Sequence, residues 1–287
     1  MKQLLILSGK GGTGKTTVAS AFIKLANAKA FADCDVDAPN LHLLMNQISQ
    51  PIISDYYGMD KAFIDTGKCK SCGICKESCR FDAIKLVNEE FKVDYFSCEG
   101  CGVCEEICSF DAIALRPDIA GKLTLYTKDK IFSTAQLKMG SGTSGKLVSE
   151  VKKQMKESVE NADLAIIDGS PGIGCPVIAS LSGVDMVLIV AEPSLSGIND
   201  MLRIIRTAKK LNVKTLVCVN KYDTNVENTN KIKSICEQLN LAFVGEIPYD
   251  KEVIKAINTG QSIVDVKCKA GNAAKDVFKN TMKIINE

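Results

Sequence analysis

The chain has no marked excess of charge of either sign, almost no histidine, and no long apolar opening. Its 36 Lys and Arg face 34 Asp and Glu, a net charge of +2, which gives no electrostatic ground for binding nucleic acid or an anionic membrane. The apolar start "LLIL" is far too short for a leader core or a membrane span, and a glycine loop follows it rather than a cleavage site. The only histidine, His42, reads as a solvated or packing residue. Basic residues are few in the final stretch "AAKDVFKNTMKIINE", so it reads as a closing core helix, not as an amphipathic anchor. A cytoplasmic protein without stable membrane insertion or nucleic-acid partner is expected.

Cysteine, by contrast, is abundant. Eight of the 13 cysteines fall within 69–108 at regular spacing. In a cytosolic chain such spacing points to metal rather than to disulfides. The other five, Cys34, Cys175, Cys218, Cys236 and Cys268, are scattered and form no C-x-x-C pair.

Short apolar β-type runs recur at 3–8, 30–33, 164–169, 186–191, 215–220 and 242–247, with helical-period stretches at 16–28, 146–160, 197–211 and 228–239. That alternation predicts an α/β fold, a doubly wound and mostly parallel sheet covered on both faces. It breaks between about Lys61 and Ala120, where the cysteines lie, and again over 121–145, which ends in the glycine- and serine-rich, mobile-looking "KMGSGTSGK". The expected organisation is one α/β domain formed by 1–60 and 121–287, with a small α+β domain, 61–120, inserted.

Gly9-Lys10-Gly11-Gly12-Thr13-Gly14-Lys15-Thr16 satisfies G-x-x-x-x-G-K-[ST], after a strand-like run and before a helix-like one. Such glycines turn backbone N–H groups toward phosphate oxygens at a helix N-terminus. Lys15 is expected at the β- and γ-phosphates and Thr16 on Mg²⁺, with Thr17 completing the binding loop. The full "KGGTGKTT", with Lys10 after the first glycine, resembles the deviant P-loop ATPases, the MinD, ParA, Mrp and nitrogenase iron-protein superfamily. The resemblance covers nearly the whole chain. It implies ATP hydrolysis and an ATP-dependent homodimer, or a heterodimer with a related ATPase, in which Lys10 reaches the partner's nucleotide. Alternatively Lys10 is a solvated loop lysine.

The same resemblance makes "ADCDVDAPN" (32–40) the first switch, with Asp35 near the attacking water and Asp33 near the metal shell. Asp37 competes with Asp35 for that role. In "LAIIDGSPGIG" (164–174), Asp168 ends an apolar strand as the expected Mg²⁺ holder, and the Gly172 N–H is expected to sense the γ-phosphate. Carboxylates at such strand ends lie where open α/β sheets bind ligands. "NKYD" (220–223) matches the guanine-reading N-K-x-D, but in MinD-type ATPases the same place supplies Asn220 to adenine and "IPYD", with Pro248, supplies backbone contacts. KGGTGKTT covers more positions, so ATP is expected over GTP.

C-x2-C-x2-C-x3-C occurs twice. Three close cysteines cap one face of an iron–sulfur cubane, and the fourth crosses to the other cluster. One [4Fe–4S] cluster is therefore expected on Cys69, Cys72, Cys75 and Cys108, and a second on Cys98, Cys101, Cys104 and Cys79. Gly73 and Gly102 permit close backbone approach and N–H···S contacts. Zinc in Cys₄ sites is the alternative. The repeat resembles the bacterial two-cluster ferredoxins, except that Arg80 and Ser109 stand where proline usually follows the fourth cysteine. Metal binding would also fold an insertion that has little core of its own.

Three functions compete. The first is an ATPase switch coupling nucleotide state to electron transfer with a redox partner protein. The second is a cluster- or metal-insertion ATPase of the Mrp kind, whose C-terminal C-x-x-C this chain lacks. The third is a MinD-like positioning ATPase with structural or sensory clusters. Cys175, seven residues after Asp168, matches a cysteine that holds a dimer-bridging cluster in the nitrogenase iron protein. It reads either as such a ligand or as a small buried thiol.

Overall fold

The computed structural model describes residues 1–45 and 50–286. In chain order the elements begin β1 (Lys2–Leu7), α1 (Lys15–Leu25), β2 (Ala30–Asp33), β3 (Ile52–Tyr57) and β4 (Lys61–Ile64). There follow α2 (Ile74–Ser78), β5 (Ile84–Val87), β6 (Glu90–Val93), α3 (Val103–Glu106), β7 (Ile113–Arg116) and β8 (Ile119–Tyr126). Next come β9 (Ile131–Leu137), α4 (Ser144–Ser158), β10 (Leu164–Asp168), α5 (Cys175–Leu181), β11 (Met186–Ala191) and α6 (Leu195–Lys210). The chain closes with β12 (Lys214–Asn220), α7 (Val226–Gln238), β13 (Ala242–Ile247), α8 (Lys251–Asn258) and α9 (Lys269–Asn286). Residue contacts cluster into two units, one of Met1–Ile53, Leu123–Gln136 and Ser144–Glu287, the other of Ser54–Lys122 and Leu137–Thr143.

In the first unit the sheet runs β13-β12-β11-β1-β10-β2-β9, and every pair along that series is parallel. All of β11 and all of β1 beyond Lys2 are buried, as strands covered on both faces must be, and this is why, Gln3 apart, they read as continuous apolar runs. On one face α1 and α9 supply Val18, Phe22, Ala274, Val277 and Ile285. Phe22 meets Phe278 edge-on, with ring centroids 5.1 Å apart. The closing stretch thus forms a core helix, and among the described residues no helix is long and apolar enough to cross a membrane.

On the inner face of α4, the ammonium of Lys152 is buried. It donates to the carbonyls of Ala179 (3.0 Å), Ser180 (2.7 Å) and Ser182 (2.5 Å), closing the C-terminal end of α5. Burial pulls its pKa down to about 8.

Residues 121–145, read from sequence as a departure from the alternation, contain a core strand. β9 pairs in parallel with β2, setting Phe132 opposite Phe31, and the two rings stack at 4.8 Å. The glycine- and serine-rich stretch ends early, because α4 already begins at Ser144.

The second unit is built twice over. β4 pairs antiparallel with β7, and β5 with β6. Matching positions 29 residues apart adopt matching backbones: Asp82 and Asp111 both have φ of 47°, and Gly73 and Gly102 have 83° and 80°. The left-handed values at the two glycines immediately precede α2 and α3, where a Cβ would be strained. Each repeat also fixes its loop alike. The Asp65 carboxylate accepts from Gly67 N–H at 2.9 Å, and that of Asp94 from Phe96 N–H at 3.0 Å.

Candidate functional site

The C-terminal ends of the parallel strands assemble one cavity in the first unit, with about 1560 Å³ of unfilled space including its open mouth. The loop from β1 to α1 forms its floor, from Lys10 through Thr17. Gly14 caps α1 in a left-handed conformation, with φ of 91°. A side chain there is excluded twice, since its Cβ would lie 2.2 Å from Asn220 Nδ2. Asn220 instead donates to the Thr13 carbonyl at 2.7 Å, tying β12 to the loop. Gly9 is tight for another reason, as its Cβ would meet that of Asp200 at 2.1 Å.

Strand register sets the charged centre. β10 places Asp168 opposite Ile6 on one side and Asp33 on the other. Lys15, the first residue of α1, sends its buried ammonium to Asp168 Oδ1 at 2.6 Å and lies 3.4 Å from the Thr16 hydroxyl. Burial opposes that positive charge, but Asp168, Asp33 and Asp35 outweigh it and raise the Lys15 pKa. Asp168 Oδ2 and the Thr13 hydroxyl are buried without a hydrogen-bond partner among the described residues.

Asp33 is fully buried, and its carboxylate organises its own loop. Oδ1 accepts from Asp35 N–H, and Oδ2 from Asn40 and Leu41 N–H, all at 3.0 Å. Burial and the neighbouring Asp168 push its pKa up to about 7, against Lys15 and those amides. Asp35 lines the cavity, whereas Asp37 is exposed. Burial also raises the Asp35 pKa. The Gly172 N–H donates to the Ser8 carbonyl at 3.1 Å. The Ser170 hydroxyl donates to the Cys34 carbonyl, joining the loops after β10 and β2.

Lys10 lies on its own chain. Its ammonium is 2.8 Å from Glu192 Oε2 and within 3.4 Å of the Ser194 and Ser196 hydroxyls. Lys221 approaches the other Glu192 oxygen at 3.5 Å and donates to the Gly12 carbonyl at 2.9 Å. Burial raises the Glu192 pKa, but the two lysines overcome it and hold the carboxyl below its ordinary value. No role for Glu192 is legible in the sequence, and Lys221 enters there only as the second residue of "NKYD". Each stands one residue past a strand end, after β11 and after β12, next to the kind of position that had singled out Asp33 and Asp168.

Pro248 and Tyr249 line the cavity beside Asn220. Asp223, the last residue of "NKYD", spends Oδ1 on the Tyr249 N–H at 2.7 Å. The apolar part of the wall, with Leu43, Leu44, Val253 and Ile254, was also unforeseen. Cys175 is exposed at the start of α5, while Cys34, Cys218, Cys236 and Cys268 are buried.

The second unit holds two similar cavities, of about 370 and 350 Å³ unfilled. Cys98, Cys101, Cys104 and Cys79 line the first of these, and Cys69, Cys72, Cys75 and Cys108 the other. Each fourth cysteine is therefore brought to the opposite triplet. Its sulfur accepts an N–H···S bond of 3.4 Å, from Ala83 to Cys79 and from Ala112 to Cys108. Burial raises the Cys75 and Cys104 thiol pKa values, the latter to about 11. Among the described residues no group of three or more His, Cys, Asp or Glu side chains is placed to hold a single metal ion. A cubane asks for something different, because each of its thiolates binds a separate iron.

A parallel sheet, a glycine loop entering a helix, and a buried Lys–Asp pair at its mouth define a P-loop nucleotide-binding protein. Comparison with known proteins narrows the class. The model of the CobQ/CobB/MinD/ParA nucleotide-binding domain matches residues 4–263. An uncharacterised protein of Methanocaldococcus jannaschii is 33% identical over 286 residues, covering 99% of this chain and 97% of that one. The septum site-determining protein MinD of Bacillus subtilis is 25% identical over 290 residues, 97% of this chain and 88% of its own. Among solved structures, MinD of Pyrococcus horikoshii complexed with Mg-ADP superposes with a TM-score of 0.60 at 17% identity, covering 99% and 97% of the two chains. The chain belongs to the CobQ/CobB/MinD/ParA nucleotide-binding domain family and is a MinD/ParA-like P-loop ATPase. The Bacillus subtilis relative lies nearer to the MinD-like alternative than to the electron-carrier reading.

Proposed function

We propose that this protein is an ATP-dependent dimeric switch whose second unit carries two [4Fe–4S] clusters, coupling nucleotide state to electron transfer with a redox partner. The observation carrying the cluster reading is the crossing of the cysteines. Two symmetry-related cavities each draw three cysteines from one repeat and the fourth from the other. A pair of independent Cys₄ zinc sites would not require that exchange. The donor set fits: eight thiols in two sets of four, with an amide already aimed at each fourth sulfur. When bound, such clusters supply one-electron transfer.

At the nucleotide site, Gly9, Gly11, Gly12, Thr13 and Gly14 offer backbone N–H groups to phosphate oxygens, with Thr17 following in the helix. Lys15 turns from Asp168 to the β- and γ-phosphates. Thr16 and the unpartnered oxygen of Asp168 suit Mg²⁺, which clamps phosphate charge when bound. Asp33 supports the first-switch loop, and Asp35 orients the attacking water. That water adds to the γ-phosphorus as the bond to the ADP oxygen breaks, leaving ADP and phosphate. Gly172 exchanges its Ser8 contact for the γ-phosphate. Lys10 leaves Glu192 to reach the partner's nucleotide. Asn220 and the Pro248 backbone serve adenine. Asp223 is already committed to Tyr249, which supports ATP over GTP.

The second reading, a MinD-like positioning ATPase with structural or sensory clusters, is favoured by the MinD relatives. Electron paramagnetic resonance of the reduced holoprotein, with and without ATP, separates the two. A nucleotide-dependent shift in potential or reduction rate is expected for the switch. Spectra and rates indifferent to ATP, at full iron content, would favour positioning.

A further inference from the structure

The two cysteine cavities are near-twins in backbone and opposites in charge. Positions 70 and 99 are equivalent, 29 residues apart, each directly after the first cysteine of its repeat. Lys70 is the one charged side chain lining the Cys69/Cys72/Cys75/Cys108 cavity among the described residues, and Glu99 the one lining the other. Both are exposed. The reversal recurs at the next equivalent pair, Lys76 and Glu105, and extends to whole repeats. Residues 61–87 carry six basic and three acidic side chains, and residues 90–116 carry two basic and six acidic.

One pair opposes the trend. The ammonium of Lys61 donates to the Cys98 carbonyl on the acidic side, while its equivalent, Glu90, is paired with Lys92 at 3.5 Å. Lys61, the first residue of β4, is a single cation meeting a segment, 98–106, that bears Glu99, Glu105 and Glu106. Of these, Glu105 takes the Leu115 N–H at 3.2 Å.

We propose that this charge reversal makes the two sites unequal in redox potential, with the Lys70-lined site the easier to reduce and the Glu99-lined site the harder. The proposal rests on the cluster reading above. Adding an electron makes a site more negative, so a nearby ammonium favours the reduced form and a nearby carboxylate opposes it. Backbone, ligand type and the amide on the fourth sulfur match between the sites, which leaves side-chain charge as the difference the structure displays. An electron arriving at the acidic repeat would therefore move on to the basic one, giving the unit a direction.

The test is a redox titration of the reconstituted full-length protein, followed by electron paramagnetic resonance, on wild type, Lys70→Glu, Glu99→Lys and the double swap. Wild type is expected to titrate in two resolved steps. Lys70→Glu lowers only the higher step, and Glu99→Lys raises only the lower. Each reversal changes the reduced-to-oxidised ratio at its own site on the order of tenfold, which is about 59 mV for a one-electron couple. The double swap inverts the order. Raising salt narrows the wild-type gap without any mutation, because both side chains are exposed. Eight irons per chain with coincident steps, or steps that ignore both swaps, would overturn the proposal while leaving the cluster reading intact. Fewer than eight irons in reconstituted wild type would overturn the cluster reading itself.

Discussion

The nucleotide unit and the cysteine unit hold themselves together by different means. In the first, whole strands of Leu, Ile and Val are sealed between helices, with Phe22, Phe31 and Phe132 fully buried beside them. In the second, the buried cluster is Ala62, Ile64, Ala83, Ile84, Phe91, Cys98 and Ile113, and five further cysteines pack against it. Phe81, Phe96 and Phe110 remain exposed there. On the proposed cluster reading, a unit with so thin an apolar interior would depend on its ligands, metal-binding free energy standing in for burial. The difference implies that function can be lost from either unit separately.

The largest expected effect follows from stripping iron. Chelation of the holoprotein should open residues 61–116 to limited proteolysis while ATP binding by the first unit persists. Equal protease resistance with and without iron would break the contrast. Next, Lys15→Ala should reduce the ATP hydrolysis rate on the order of 10²–10³-fold, the scale of removing one transition-state donor, with iron content unchanged. Loss of iron alongside activity would show that the units are not separable.

Lys152→Met should cost the first unit about 2 kcal/mol in urea unfolding, because three carbonyls at the end of α5 lose a charged donor. The buried ammonium's own desolvation penalty, relieved by methionine, offsets part of that loss. The smallest effect concerns pH. The Asp33 carboxyl holds its proton in the folded state up to about pH 7, against an ordinary 3.8. Its stabilising contribution is thus complete below 3.8 and lost as pH rises through 7. The nucleotide-free melting temperature should fall from pH 6 to pH 8 in wild type and fall less in Asp33→Asn. An equal fall in both would assign the effect to other groups.

Much of this was readable in the chain because burial leaves a plain mark. β11 and β13 coincide with the apolar runs at 186–191 and 242–247, and the loop from Gly9 to Thr16 announces itself by spacing. β9 escaped because its buried positions are partly polar. Ser133 and Thr134 are both buried, and Ser133 satisfies its hydroxyl on Gln154 Oε1 at 2.8 Å. A strand with polar residues at buried positions carries no hydrophobic signature. Glu192 escaped because it belongs to no short motif and meets Lys10 and Lys221 only through the fold, and Lys221, although the second residue of "NKYD", carries no mark in that motif of its reach to the Gly12 carbonyl. The charge reversal between the repeats lay in the sequence throughout, but its meaning depends on which side chains line which cavity.

The central claim, that nucleotide state and redox state are coupled in one chain, is tested most directly by the rate of ATP hydrolysis of the holoprotein with its clusters oxidised and then reduced. The account predicts different rates in the two states. Identical rates, with eight irons present and full ATPase activity, would contradict it.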